Sequence, residues 1–205
     1  MSTYILFAAS ELCCAACSEN FHAPENMIGD NPTKTVVQTT TPVPADCFQP
    51  AVDQGTVELL QYEAKDYTQA DRPVTHKPAY IYLPCGYDAS KKYDIIYLLH
   101  GWTGTAEQYF AQENLPQMKN LFDNMIARGL TKPFIAVSPT WDKDNRAKDW
   151  GESTREAAVF SSEYINDLIP AVESRYSTYA ESTDEAGIIA SRAHRAIGGF
   201  SLGAI

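Results

Sequence analysis

Gly199-Phe200-Ser201-Leu202-Gly203 is a G-x-S-x-G pentapeptide, a spacing that sets a serine on a sharp turn between a strand and a helix. The flanking glycines let neighbouring backbone pass close by. A serine presented this way is suited to attack on a carbonyl carbon, provided that a base takes its proton. A second stretch with chemical potential, Leu98-Leu99-His100-Gly101-Trp102-Thr103-Gly104, ends an apolar run and enters a loop. Open α/β sheets bind ligands at such strand ends. A third, Trp141-Asp142-Lys143-Asp144-Asn145-Arg146 through Trp150-Gly151-Glu152, makes Trp141 and Trp150 candidate binding residues, because tryptophan offers a flat apolar face and one donor to a sugar or phenolic ring. The competing readings are a glycine-rich surface turn for the second stretch and a solvated loop with two anchoring tryptophans for the third.

These residues need a scaffold, and the pattern of apolar residues supplies one. Thr56 to Tyr62 and Ala79 to Leu83 alternate as strands, and Pro84 and Gly86 close the second. Asp94-Ile95-Ile96-Tyr97-Leu98-Leu99 is a continuous apolar run, as in a strand buried on both faces. Met118, Leu121, Phe122, Met125 and Ile126 recur with helical spacing and Gly129 stands where that helix stops. Lys132 to Val137 returns to a strand. Ser153-Thr154-Arg155-Glu156 matches a capping box ahead of a second helix, which Pro170 should kink or break near Asn166. Ser177 to His194 is polar and unassigned, and Arg195 to Gly199 forms the last strand. The order predicts an α/β fold: a mostly parallel sheet with helices on both faces.

The formal net charge of −10 and the absence of a Lys/Arg cluster argue against nucleic acid and against a surface that clings to anionic lipid. No stretch is apolar for long enough to span a bilayer as a helix. Tyr4 to Cys17 is small and apolar like the core of a signal peptide, and Cys14-Ala15-Ala16-Cys17 is similar to a lipobox, making Cys17 a lipidation candidate and a possible membrane tether. Against export stand the lack of Lys or Arg before Lys34 and the interruption by Glu11; a disordered tail is the alternative. With export, the location is extracellular or cell-surface. Residues 18–53, rich in Thr, Pro, Asn and acidic side chains, read as a disordered linker, leaving 54–205 as the domain. Of the five cysteines, cleavage before Cys17 would leave Cys47 and Cys85 beside a lipidated Cys17, and two unpaired thiols are expected. Neither a metal site nor a cofactor is called for.

Taken in order, Leu83-Pro84-x-Gly86-Tyr87-Asp88, Tyr93-x-Ile95-Ile96-Tyr97-Leu98-Leu99-His100-Gly101, Asp167-Leu168-Ile169-Pro170 and Ser191-Arg192-x-His194-Arg195-Ala196-x-Gly198-Gly199-Phe200-Ser201 resemble the esterase-D-type α/β-hydrolases. Within that group the chain is most similar to the carbohydrate esterases of family 1, the feruloyl and acetylxylan esterases, over about Gln54 to Ile205. The resemblance implies that Ser201 is the nucleophile and that the backbone N–H groups of Trp102 and Leu202 form the oxyanion hole. It also implies a structural His100, a Gly101 that lets the loop turn, and acylated xylan-type polysaccharide as partner. Thr103 departs from the pattern, standing where many relatives have glycine.

In this fold the triad follows the order Ser, Asp or Glu, His, so both partners of Ser201 are expected beyond Ile205. His22, His76, His100 and His194 read as exposed or structural: His22 in the linker, His76 in a polar turn, His100 behind the loop and His194 at the foot of the last strand. The 205-residue chain alone is expected to be inactive. The alternatives are a non-catalytic carbohydrate-binding relative, an inactive fragment, and an acyltransferase or thioesterase of the same fold.

Overall fold

The computed structural model describes residues 42–111, 117–146 and 149–204. Strands β1 (Thr56–Lys65) and β2 (Val74–Leu83) pair antiparallel along their full lengths. Alternation explains them: Leu60, Tyr62 and Ala64 of β1 point inward while their neighbours meet solvent. β3 (Asp94–Leu99), β4 (Phe134–Ser138) and β5 (Arg195–Gly199) complete a five-stranded sheet in the order β1-β2-β4-β3-β5. β4, β3 and β5 run parallel, and β2 meets β4 antiparallel. The sheet is therefore mixed, with its parallel part in the half that carries the candidate site. His76 lies in β2 rather than in a turn before it.

Helix α1 (Gln117–Ala127) joins β3 to β4, whereas α2 (Trp150–Glu163), α3 (Ile169–Glu173) and α4 (Glu185–Ala190) lie between β4 and β5. The chain leaves β3 for a neighbour on one side and returns to a neighbour on the other, so the strand order reverses at β3. A crevice opens at such a switch point, outside the carboxyl ends of the strands. The helices flank both faces. Phe160, Leu168, Ile169 and Val172 cover Ile81, Tyr97 and Val137 on one. Phe122 of α1 packs on Tyr82 and Phe134 on the other, with ring centroids 5.6 and 4.9 Å away.

Gly129 ends α1 in the left-handed conformation (φ 67°), where the Leu130 N–H reaches the Met125 carbonyl at 2.9 Å. α2 begins earlier than the capping-box match: Asp149 is the cap, its carboxylate accepting the Glu152 N–H at 3.1 Å, and Ser153 and Glu156 are buried inside the helix. Pro170 acts near Asn166 as expected. Lacking an N–H, it cannot serve the Asn166 carbonyl, and Tyr164–Leu168 widen into a π-helical turn before α3 resumes. α4 was invisible to periodicity because it buries no residue; Asp184 caps it through the Gly187 N–H at 2.8 Å.

The folded unit starts at Pro44, not near Gln54. A 3₁₀ turn, Ala45–Phe48, is clasped by α1: Asn120 Nδ2 donates to the Phe48 carbonyl at 3.0 Å, and Asn124 Nδ2 to the carbonyls of Cys47 and Gln49 at 3.1 and 2.8 Å. The linker expectation therefore fails over residues 44–50, because these backbone acceptors have partners on the folded body. Cys47 is buried and Cys85 exposed, both as free thiols. The lipobox with Cys17, and His22, lie outside the described residues.

Beneath α2 the core holds an ion pair. Lys77 of β2 is fully buried and donates to Glu163 Oε2 at 2.7 Å, and the Tyr62 hydroxyl donates to Oε1 at 2.7 Å. Burial pushes the Lys77 ammonium below its ordinary value and the Glu163 carboxyl above, against their mutual attraction. Removing one partner strands the other in the core, so Lys77→Met should lower the unfolding free energy by about 3–5 kcal/mol. Lys77→Met with Glu163→Leu should recover most of that loss in a urea titration.

Candidate active site

Ser201 sits where β5 turns into the 3₁₀ turn Ser201–Ala204, with φ of 54°. This left-handed conformation is costly for a residue with a Cβ, and it exposes the serine at the strand's tip. Close backbone contact holds it there. A Cβ on Gly199 would lie 2.2 Å from the Gly203 carbonyl oxygen, and one on Gly203 would lie 2.4 Å from the His100 carbonyl oxygen. Both glycines of the pentapeptide are thus required by packing, as the motif predicts.

The loop after β3 lies directly against this elbow. A Cβ on Gly101 would stand 3.5 Å from Ser201 Cβ and 2.9 Å from the Phe200 ring. The structure therefore brings together Ser201, the Gly101-Trp102 peptide and Leu202, the last in the first turn after the strand, where amides lack intrahelical partners. His100 supports the loop from beneath. It is fully buried, with Nδ1 2.8 Å from the Gly101 carbonyl oxygen and Nε2 2.8 Å from Thr140 Oγ1. A carbonyl only accepts, so Nδ1 carries the proton and Nε2 accepts from the Thr140 hydroxyl. Burial lowers its pKa to about 4.

The loop after β4 fixes the loop after β3 at two places. At the front, Trp141 Nε1 donates to the His100 carbonyl at 3.1 Å, and its ring packs 4.6 Å from the imidazole. At the rear, Asn145, itself at φ 51°, accepts the Ala106 N–H at 2.8 Å and donates to Glu107, while Ser138 Oγ donates to the Ala106 carbonyl at 2.7 Å. Burial raises the Glu107 pKa, but hydrogen bonds from Thr105, Asn145 and Tyr80 outweigh it and hold the carboxyl below its ordinary value.

The two candidate tryptophans separate. Trp141 is only 2% exposed and both its ring and its N–H are engaged under the loop, so it has no face to offer a ligand. Trp150 is 52% exposed in the first turn of α2 and meets the 38% exposed Trp102 edge-to-face, at 5.4 Å and 89°. Half-exposed Phe200 adds a third aromatic beside Gly101.

Among the described residues, no histidine stands as a base for Ser201. His100 has both nitrogens engaged. His194 is at the opposite end of β5, where Nδ1 lies 2.7 Å from Asp94 Oδ1 and the ring stacks on Tyr179 at 3.5 Å. His76 is three strands away in the sheet order. Thr140 escaped the sequence reading as a member of the site, and Asn145 was read only as part of the candidate binding loop that starts at Trp141. The one local signal was their position after the apolar strand β4.

The family model described as "Putative esterase" matches residues 73–205. The chain belongs to that family. It is similar to endo-1,4-beta-xylanase Y of Acetivibrio thermocellus, 35% identical over 187 residues, or 91% of this chain and 16% of that protein. Another relative, the endo-1,4-beta-xylanase/feruloyl esterase of Xylanibacter ruminicola, is 30% identical over 130 residues, 61% of this chain and 16% of that protein. Among solved structures, the feruloyl esterase module from Clostridium thermocellum, a serine-to-alanine mutant complexed with sinapinate, is 36% identical with a TM-score of 0.65. That match covers 80% of this chain and 51% of the module. The ferulic acid esterase of the anaerobic fungus Anaeromyces mucronatus shares the fold at 24% identity and a TM-score of 0.62, over 78% of this chain and 56% of that one. The chain thus spans about a sixth of the curated relatives and half of the esterase module. The fold is that of the α/β-hydrolase esterases.

Two outcomes follow for this esterase fold. Gly203→Ala places a methyl against backbone and should cost roughly 3 kcal/mol or more, read as a lowered midpoint in thermal unfolding. His100, near 4 in the folded chain, titrates near 6.5 when unfolded, so acid favours unfolding between these values. This histidine costs nothing above about pH 7 and removes about 3 kcal/mol as the pH falls to 4. His100→Gln should be less stable at neutral pH but flatter over that window in denaturant titrations.

Proposed function

We propose that the protein is a serine carboxylesterase that removes feruloyl or acetyl groups from plant cell-wall polysaccharide through an acyl-enzyme. The observation that carries this reading is the left-handed Ser201 at the tip of β5, packed against the Gly101-Trp102 loop. Support for the substrate class comes from the xylanase and feruloyl esterase relatives and from the sinapinate complex of one of them.

In this mechanism Ser201 Oγ attacks the ester carbonyl, and the oxygen of the tetrahedral intermediate takes hydrogen bonds from the Trp102 and Leu202 amides. Collapse expels the sugar alcohol and leaves an acyl-serine, which water clears by the reverse path. Fixed donors aimed at the developing charge lower the barrier, about 3 kcal/mol for each one. The right-angled Trp102 and Trp150 pair suits a planar ring laid against one indole with its edge toward the other. In this fold the base that takes the Ser201 proton and returns it to the leaving sugar oxygen, and the acid that orients that base, follow the nucleophile in chain order. A lipid at Cys17 would hold the enzyme at the cell surface, near its polymeric substrate.

The test is release of ferulate and acetate from xylan fragments by the natural full-length protein. Ser201→Ala should abolish turnover and any product burst, and Trp150→Ala should raise KM for feruloyl esters several-fold more than for acetyl esters. The 205 residues alone should turn over no faster than their Ser201→Ala variant. Full activity in that variant of the natural protein would mean that the pentapeptide is not catalytic, whereas no turnover by the unmutated natural protein would favour the carbohydrate-binding alternative.

A further inference from the structure

The Trp102 amide, the oxyanion donor in the reading above, does not stand alone. It shares a planar trans peptide with the Gly101 carbonyl, so the direction of one fixes the direction of the other. That carbonyl accepts two hydrogen bonds, from His100 Nδ1 at 2.8 Å and from the Gly104 N–H at 3.0 Å. The imidazole in turn can donate from Nδ1 only while Nε2 is the acceptor, and Nε2 faces the Thr140 hydroxyl at 2.8 Å. The Thr140 oxygen accepts the Asp142 N–H at 3.1 Å, which turns the hydroxyl proton toward the imidazole. Thr140 and His100 are both fully buried, so water cannot substitute for either partner.

We propose that Thr140 is a positioning residue for the oxyanion hole: by fixing the His100 tautomer it sets the Gly101-Trp102 peptide plane and aims the Trp102 N–H at the reacting carbonyl. The chain of contacts crosses from the loop after β4 to the loop after β3 and ends beside Ser201. No proton moves through it during the reaction. Loss of the Thr140 hydroxyl lets the imidazole adopt the other tautomer or rotate, and the Gly101 carbonyl then loses one of its two anchors. The substrate's ground-state contacts are unaffected, whereas the transition state loses a well-aimed donor. This inference rests on the esterase reading of Ser201.

Thr140→Val keeps the shape of the side chain and removes only the hydroxyl; Thr140→Ser keeps the hydroxyl. In the natural full-length protein, Thr140→Val should lower kcat on an aryl acetate by about 10- to 100-fold with KM within about twofold. It should weaken a phenylboronic acid, which mimics the oxyanion, in parallel with kcat, while sinapinate binding holds. Thr140→Ser should restore kcat to within about threefold of the parent. An unchanged kcat in Thr140→Val, or a serine variant no better than the valine one, overturns the proposal. Should Thr140→Val fail to fold by circular dichroism, the ¹⁵N shifts of His100 in the unmutated protein decide. A protonated Nδ1 at neutral pH sustains the proposal, and a protonated Nε2 ends it. Ser201→Ala separates the two levels. If it is inactive while Thr140→Val is normal, only the positioning role falls; if it retains activity, the reading of Ser201 as the nucleophile falls first.

Discussion

Backbone lies against backbone where the tip of β5 meets the end of β3, and the candidate site depends on that contact. The approach leaves no room for a Cβ at Gly199 or Gly203, and the elbow so formed holds Ser201 at φ 54°. A left-handed non-glycine residue persists only where its surroundings over-determine it. Here the surroundings are the parallel pairing of β5 on β3 and the carbonyls of Leu99 and His100 beneath the turn. The same contact brings the Gly101 loop beside the serine, so one packing constraint yields both the exposed hydroxyl and the nearby amides.

A second layer fixes what the first brings together. Ser138, Thr140, Trp141 and Asn145, all from the segment that ends β4, hold the loop after β3 at its front and its rear. Adjacent parallel strands explain the economy of this arrangement: β3 and β4 end at the same edge of the sheet, so their following loops are obliged to touch. Farther from the site, Lys77 with Glu163 and Arg195 with Glu173 place paired charges under the helices that cover the sheet. Each pair ties an inward-facing strand residue to one helix, so losing either partner would strand a charge in the core.

Much of this was legible in the sequence where the signal was local. Residues 94–99 formed the expected strand because the five-residue apolar run Ile95 to Leu99, bounded by Asp94 and His100, has few other uses. Pro170 disrupted its helix where a missing N–H had to be absorbed. The α2 start was misplaced because Ser153-x-x-Glu156 and Asp149-x-x-Glu152 both satisfy the same short pattern, and only burial of the former distinguishes them. Trp141 and Trp150 were indistinguishable for a related reason: both were read as one loop, whereas Trp150 opens α2 and only Trp141 lies in the irregular segment ahead of it. The bond between His100 and Thr140 joins residues 40 apart in the chain. Local spacing carries no trace of it, although both residues follow apolar strands that pair in parallel.

The clasp of α1 on residues 45–49 has a mechanical side. Tension applied to the chain ahead of Pro44 reaches Asn120, Asn124 and the Arg128–Asp46 pair before it reaches β1. The load meets these side-chain bonds to α1 before it can peel the outermost strand from the sheet. β1 and everything ordered behind it are thus insulated from a tug on the leading segment.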